Sequence, residues 1–279
     1  MKNILLAIDA GKVDRSTVDF ACYMARLTHS HLNGIFLENI AEGTVPQLKS
    51  LYGLPYVESI VATDLPENRK KMAVAEEHIE LFRDACCNQE VSCTTRVVRQ
   101  TPAKEIISES RFADLLIVGA STSSEKKMES TPTAFVRDVL AGAECPVIIA
   151  PYSFDTIDEI LFTYDGSRSS VFAIKQFTYL LPELVSKKIV VLQVKESDKA
   201  GGNEEDKIRP WLTTHYANFE FQYLEGRATD ELFAYLLEKN NIFVVMGAFG
   251  RSQLSNFIAR STAELLLKTI NLPIFTAHH

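Results

Sequence analysis

The chain has 279 residues and a formal net charge of −7, with 46% hydrophobic and 23% charged residues. That is the composition of an ordinary globular protein, and its acidic balance argues against a bulk nucleic-acid binder, which needs a basic face. No apolar run approaches the roughly 18–20 residues of a membrane span, and the apolar stretch at 4–8, broken by Asp9, is too short for a secretory signal core of about 7–15 residues. A cytoplasmic protein with neither membrane nor nucleic-acid partners is expected. The five cysteines contain no C-x-x-C pair, and the histidines have no second ligand pair at metal spacing. Free thiols are therefore expected, and no metal site.

In chain order, residues 2–8 form an apolar run rich in branched side chains, which suits a strand buried on both faces of a parallel sheet. "DRSTVDFACYMARLTH" from Asp14 has helical spacing, with Val18, Ala21, Cys22 and Ala25 on one stripe. "NGIFLENI" from Asn33 reads as a strand, and "PENRKKMAVAEEHIELFRDACC" from Pro66 as a long amphipathic helix. "VSCTTRVVRQ" is a strand and "PAKEIISESRFA" a helix with Pro102 at its start. "DLLIVGA" from Asp114 is a strand, "TPTAFVRDVLAGAE" a helix, and "PVIIAP" from Pro146 a last strand.

The same order then recurs. "EILFTYD" from Glu159 is a strand ending in Asp165, and "SSVFAIKQFTYLLPEL" a helix. They are followed by "KIVVLQVKES", "EEDKIRPWLTTHY", "FEFQYLEG" and "ATDELFAYLLEKN". "IFVVMGAFG" is a strand running into Gly247 and Gly250, "TAELLLKTI" a helix, and "PIFTA" a short Pro-led strand. Strands alternating with helices imply parallel pairing with right-handed crossovers. The expected fold is therefore α/β, with two tandem open parallel-sheet sandwiches of Rossmann-like type and five strands each. The expected domains are 1–151 and 155–279, large enough for a core each. The Pro-led last strands want partners at their edges. They are expected to run antiparallel to each other, making an intramolecular pseudo-dimer of the two domains.

The copies differ in length chiefly through an insertion near 38–70, which contains Pro46, Tyr52, Gly53, Pro55 and Tyr56. A stretch this long without clear periodicity is either functional or mobile, and its plain reading is a lid over its own domain near the carboxyl edge of the sheet. The loop "SSEKKMESTP" from Ser123 reads as a solvated surface loop.

Ligands of open α/β sheets bind beyond the carboxyl ends of the strands. Three segments of the second copy meet there. Asp165, in "YDGSRSS", can accept hydrogen bonds from ribose hydroxyls, or cap the following helix. Gly247 and Gly250, in "GAFGRS", permit tight turns and close approach to phosphate, and neighbouring amides with Arg251 can form an anion nest. Ser261 or Thr262, in "RSTAELLL", reads as a helix N-cap whose amides can face a phosphate.

With these residues the whole chain resembles the universal stress proteins in their tandem two-domain form. The resemblance implies a pattern in nucleotide-binding members: an Asp ending the first strand, then G-x-x-G, nine residues, and G-[ST]. Here the pattern falls on Asp165, Gly247 and Gly250, then Arg260 and Ser261. Arginine stands where the last glycine is expected, and it either reaches a phosphate or crowds the site. The first copy departs further: Ala120, Ser121 and Thr122 follow Gly119, and Pro132 and Thr133 fill the G-[ST] positions. Pro132 lacks the amide donor the nest needs, so this copy is not expected to bind ATP in the family manner.

The resemblance implies a stress-response regulatory protein that binds ATP or a related adenine nucleotide in the C-terminal domain, with or without Mg. The phosphates are expected on Gly250, Arg251, Ser261 and Thr262, with Arg260 beside them as ligand or obstruction. The adenine is expected near Thr163, Tyr164, Asp165, Gln193 and Val194. A nucleotide-free scaffold and a weak ATPase are the alternatives, and no catalytic base is evident. Further assembly into a homodimer of tandem chains stays open.

Overall fold

A computed structural model of the chain describes residues 1–38, 40, 43–99, 101–123, 129–195, 204–247 and 270–277. In chain order the first half comprises β1 (Asn3–Asp9), α1 (Arg15–Leu27), β2 (His31–Leu37), β3 (Thr44–Leu51), β4 (Leu54–Val61) and α2 (Pro66–Asn88). It continues through β5 (Cys93–Val98), α3 (Pro102–Ser110), β6 (Leu115–Gly119), α4 (Ala134–Gly142) and β7 (Val147–Ala150). The second half comprises β8 (Glu159–Thr163), α5 (Arg168–Leu180), β9 (Lys188–Lys195), α6 (Glu204–His215) and β10 (Phe219–Glu225). α7 (Ala228–Leu237), β11 (Ile242–Gly247) and β12 (Ile274–Ala277) follow. The helix expected at 262–270 lies outside the described residues except for Ile270.

The two expected sheets are in fact one. Ten strands run in the order β10-β9-β8-β11-β12-β7-β6-β1-β2-β5. Within this sheet every pairing inside a half is parallel, and β12 meets β7 antiparallel through Ile274–Ile149, Phe275–Ile148 and Thr276–Val147. The reason lies in those two strands. Both are short, Pro-led and fully buried, and two apolar edges left open would each seek a partner. Pairing them removes both edges and fuses the sheets.

Helices cover both faces of the sheet. α1, α2, α5 and α6 pack on one, and α3, α4 and α7 on the other. The first face is continuous across the halves. Phe20 of α1 lies edge-on to Phe243 of β11 at 6.4 Å and to the connecting segment's Phe154 at 5.1 Å, while Phe177 of α5 meets Phe275 of β12 at 5.4 Å. The connection itself is pinned, with Asn271 accepting from the Ser153 amide at 2.8 Å and donating to the Ser153 carbonyl at 3.0 Å.

The insertion is not a lid. β3 and β4 pair only with each other, in a separate two-stranded sheet closed by Tyr52 and Gly53. Both turn residues have positive φ, 52° and 81°, the requirement of the two-residue type I′ turn that matches strand twist. The arm starts beyond the carboxyl end of β2, as the sequence order requires, but projects outward: Leu48 is 72% exposed and Tyr52 97%. Its base is held by the Ala62 amide donating to the Gly43 carbonyl at 2.8 Å.

Candidate functional site

Strand order reverses twice in this sheet, between β1 and β6 and between β8 and β11. Those are the crevices where open α/β folds place ligands, and each begins with an aspartate.

In the first half β1 ends in Asp9, whose Oδ1 accepts from the Gly11 amide at 2.8 Å and so closes the loop into α1. Asp14 caps that helix, accepting from the Ser16 amide at 3.1 Å and from the Thr17 hydroxyl at 2.8 Å. Asp9, Lys12, Asp14, Thr17, Ser121 and Thr122 line a small cleft that opens to solvent. Burial pushes the Asp9 carboxyl above its ordinary range, against the opposing pull of the Gly11 and Lys12 amides and the Lys12 and His78 charges. His78, on α2, donates from Nδ1 to the Ala10 carbonyl at 2.8 Å. Nothing in the sequence signals this contact, because His78 is brought to the loop only by the packing of α2.

Several backbone donors beside this crevice are already engaged. The Gly119 amide donates to Thr122 Oγ1 at 3.1 Å, and Thr133 Oγ1 caps α4 by accepting from the Val136 amide at 3.2 Å. The Ala134 amide, at the N-terminus of α4, donates to Glu129 Oε2 at 2.6 Å. A carboxylate of the chain thus sits where a helix N-terminus would favour a bound anion. Glu129 departs from the solvated loop expected at 123–132. It is half-buried and folded back, while residues 124–128 lie outside the described set.

In the second half the loop geometry repeats. Asp165 Oδ1 accepts from the Ser167 amide at 2.9 Å, and Ser167 Oγ caps α5 by accepting from the Ser170 amide at 3.1 Å. Asp165 therefore orders the loop as Asp9 does, but it is exposed where Asp9 is half-buried. Thr163 Oγ1 donates to the Val245 carbonyl at 3.2 Å, tying β8 to β11. Tyr164 is buried and its amide donates to the Leu192 carbonyl at 2.9 Å, so its side chain anchors the strand end. Gln193 and Val194 are half-buried near the carboxyl end of β9.

Gly247 closes β11. A Cβ there would lie 2.7 Å from the Ser170 nitrogen and 2.8 Å from the Ser169 carbonyl carbon. The first turn of α5 thus requires a glycine at this position before any ligand is considered. Thr163, Tyr164, Asp165, Gln193, Val194 and Gly247 accordingly gather along the carboxyl edge of the adjacent strands β9, β8 and β11. Gly250, Arg251, Arg260, Ser261 and Thr262 lie outside the described residues.

Comparison with known proteins bears on this arrangement. A universal stress protein from Archaeoglobus fulgidus DSM 4304 superimposes with a TM-score of 0.69 over 99% of this chain and 96% of its own, at 16% identity. A putative universal stress protein from Pseudomonas aeruginosa UCBPP-PA14 superimposes with a TM-score of 0.60 over 99% and 92%, also at 16% identity. The chain has the tandem universal stress protein fold. In sequence it is 23% identical to the universal stress protein Slr1230 of Synechocystis, over 99% of both chains. No sequence-family profile matches it. The tandem architecture read from the internal repeat is therefore that of full-length universal stress protein relatives.

Proposed function

We propose that the chain is a stress-response regulatory protein that binds ATP or a related adenine nucleotide in its C-terminal domain, 155–279. The observation that carries this reading is the contrast between the two crevices. Both present an aspartate-closed loop and a glycine-ended strand. In the first, the helix N-terminus beside the crevice is filled by Glu129. In the second, Asp165 stands exposed at the mouth, and the sequence supplies Gly250, Arg251, Ser261 and Thr262 for phosphate. In this reading Asp165 uses its remaining acceptor capacity on ribose hydroxyls, and the adenine lies by Gln193 and Val194. Domain 1–151 serves as the structural half of the fused sheet.

The test is calorimetry with ATP on the parent, Asp165→Ala and Arg260→Gly, alongside the small-molecule content of freshly purified protein. Asp165→Ala is expected to weaken binding by on the order of 1–3 kcal/mol, the range for a lost charged hydrogen bond. Arg260→Gly restores the nucleotide-binding pattern: tighter binding would mark Arg260 as an obstruction, weaker binding as a phosphate ligand. No binding by either parent or Arg260→Gly would overturn the reading and leave a nucleotide-free scaffold. Arg260 itself favours that second reading. Turnover measured with magnesium separates binding from weak hydrolysis.

A further inference from the structure

Two cysteines far apart in sequence meet in the first half. Cys22 lies on α1 and Cys86 in the last turn of α2, and their sulfurs are 3.7 Å apart, both buried. The contact is made by helix packing, and neither thiol lines a crevice described above. We propose that Cys22 and Cys86 form an oxidative modification site, joining in an intramolecular disulfide when the protein meets a peroxide.

The geometry sets the cost. A disulfide bond is about 2.03–2.05 Å long, so the two sulfurs, 3.7 Å apart, must approach by less than one such bond length, within reach of side-chain rotation and a slight closure of α1 on α2. The pair is also polarised. Either sulfur can donate in this contact; with the Cys86 thiol donating, the Cys22 thiol is held below its ordinary range and that of Cys86 is pushed above it. Cys22 is thus the attacking sulfur, since the thiolate is the nucleophile. Both sulfurs are closed to solvent, so peroxide reaches Cys22 when the last turn of α2, which carries Cys86 and covers it, opens. There Cys86 is flanked by exposed Cys87 and lies against half-buried Cys93, and a terminal helical turn opens more readily than the core.

The steps balance. The Cys22 thiolate attacks one peroxide oxygen, the O–O bond breaks, and hydroxide leaves and takes up the proton Cys22 released. Cys22 is now a sulfenic acid. The Cys86 sulfur attacks the Cys22 sulfur, the S–S bond forms as the S–O bond breaks, and the departing hydroxide leaves as water with the Cys86 proton. The thiols are oxidised by two electrons and the peroxide is reduced to two waters. The bond would tie together the two helices that hold the Asp9 loop, α1 through its Asp14 cap and α2 through His78.

The test uses the full chain and hydrogen peroxide in slight excess. After quenching, the protein is denatured, alkylated and weighed intact, and its unreduced peptides are mapped. The parent should fall from five alkylated thiols to three, with a linked peptide spanning Cys22 and Cys86, and a thiol reductant should restore all five. Cys87→Ser, at an exposed position, should keep the loss of two thiols and so assign the bond to Cys86. Cys22→Ala should abolish the linked peptide. Should that variant not fold, Cys87→Ser/Cys93→Ser retains the pair and must still lose two thiols. Retention of all thiols, oxidation of Cys87 alone, chains cross-linked through Cys87, or a Cys86–Cys93 link instead would each overturn the proposal.

Discussion

Gly247 and Gly119 end equivalent strands, yet alanine should be tolerated very differently at the two positions. At Gly247 the added Cβ would meet backbone, the Ser170 nitrogen at 2.7 Å and the Ser169 carbonyl carbon at 2.8 Å. No rotamer change relieves a backbone contact, so the first turn of α5 must move away from β11. Overpacking of this kind costs about 1–3 kcal/mol. At Gly119 the nearest atoms are the side-chain oxygens of Thr17 at 2.9 Å and Thr122 at 3.2 Å, which can turn aside. The cost there is the loosening of two side-chain hydrogen bonds, from the Gly119 amide to Thr122 and from the Thr17 hydroxyl to Asp14, together roughly 0.5–1.5 kcal/mol. Gly247→Ala also shifts the Ser167 cap and hence the Asp165 loop, so the ATP binding proposed for the second half should weaken with stability. Urea unfolding of both variants measures the difference. Equal midpoints, or a larger loss in Gly119→Ala, would refute the claim that α5 is what demands a glycine at 247.

Three further outcomes are expected. Phe275→Ala empties a fully buried site beside Phe177 and should cost about 3–5 kcal/mol; because the sheet and one core face run through both halves, fluorescence and circular dichroism should report the loss in a single transition, not one confined to the second half. Asp9→Asn keeps the acceptor for the Gly11 amide but removes a carboxylate whose folded pKa is raised by burial. A raised pKa favours the protonated form, so the parent loses stability as pH climbs past the ordinary carboxylate range, and the variant should gain on it at neutral pH with the advantage gone in acid; an advantage independent of pH would contradict this. Replacing the arm 44–61 by a short glycine linker between Gly43 and Ala62 should change the urea midpoint by less than about 1 kcal/mol, since most of its side chains are exposed, and should leave nucleotide binding by the second half intact.

The architecture was legible because parallel strands buried on both faces write themselves as unbroken apolar runs, as at 2–8 and 242–246. The Pro-led ends announced β7 and β12, and their antiparallel meeting followed from edge chemistry. That the meeting fuses two sheets into one was not legible, because register between distant strands is set by shared packing such as Phe20 against Phe243. The insertion misled for a different reason. Its Tyr52–Gly53 turn is a recognisable hairpin signal, but flanking strands with mixed apolar and polar residues do not say whether the arm folds back or projects. At the site, Asp9 and Asp165 were readable as strand-end acids. Glu129 and His78 were not, since each acts through a contact that only the tertiary fold creates.

The two crevices show how one design diverges without changing its frame. Asp9 and Asp165 each spend one oxygen on an amide two residues later, so the loop geometry in both halves is maintained by the acid itself and does not depend on a ligand. What a nucleotide site needs beyond that frame is free amides at a helix N-terminus. In the first half two amides beside the crevice have been answered locally, that of Gly119 at the end of β6 by Thr122 and that of Ala134 at the start of α4 by Glu129. An internal carboxylate is covalently present at high effective concentration, so an anionic ligand must displace it and lose the helix-terminus stabilisation it supplied. Substituting Pro132 alone would therefore not restore a phosphate site, because Glu129 would still occupy it. The first half keeps its aspartate because the loop needs it, and its loss of phosphate-binding residues is compatible with the place it holds in a continuous ten-stranded sheet.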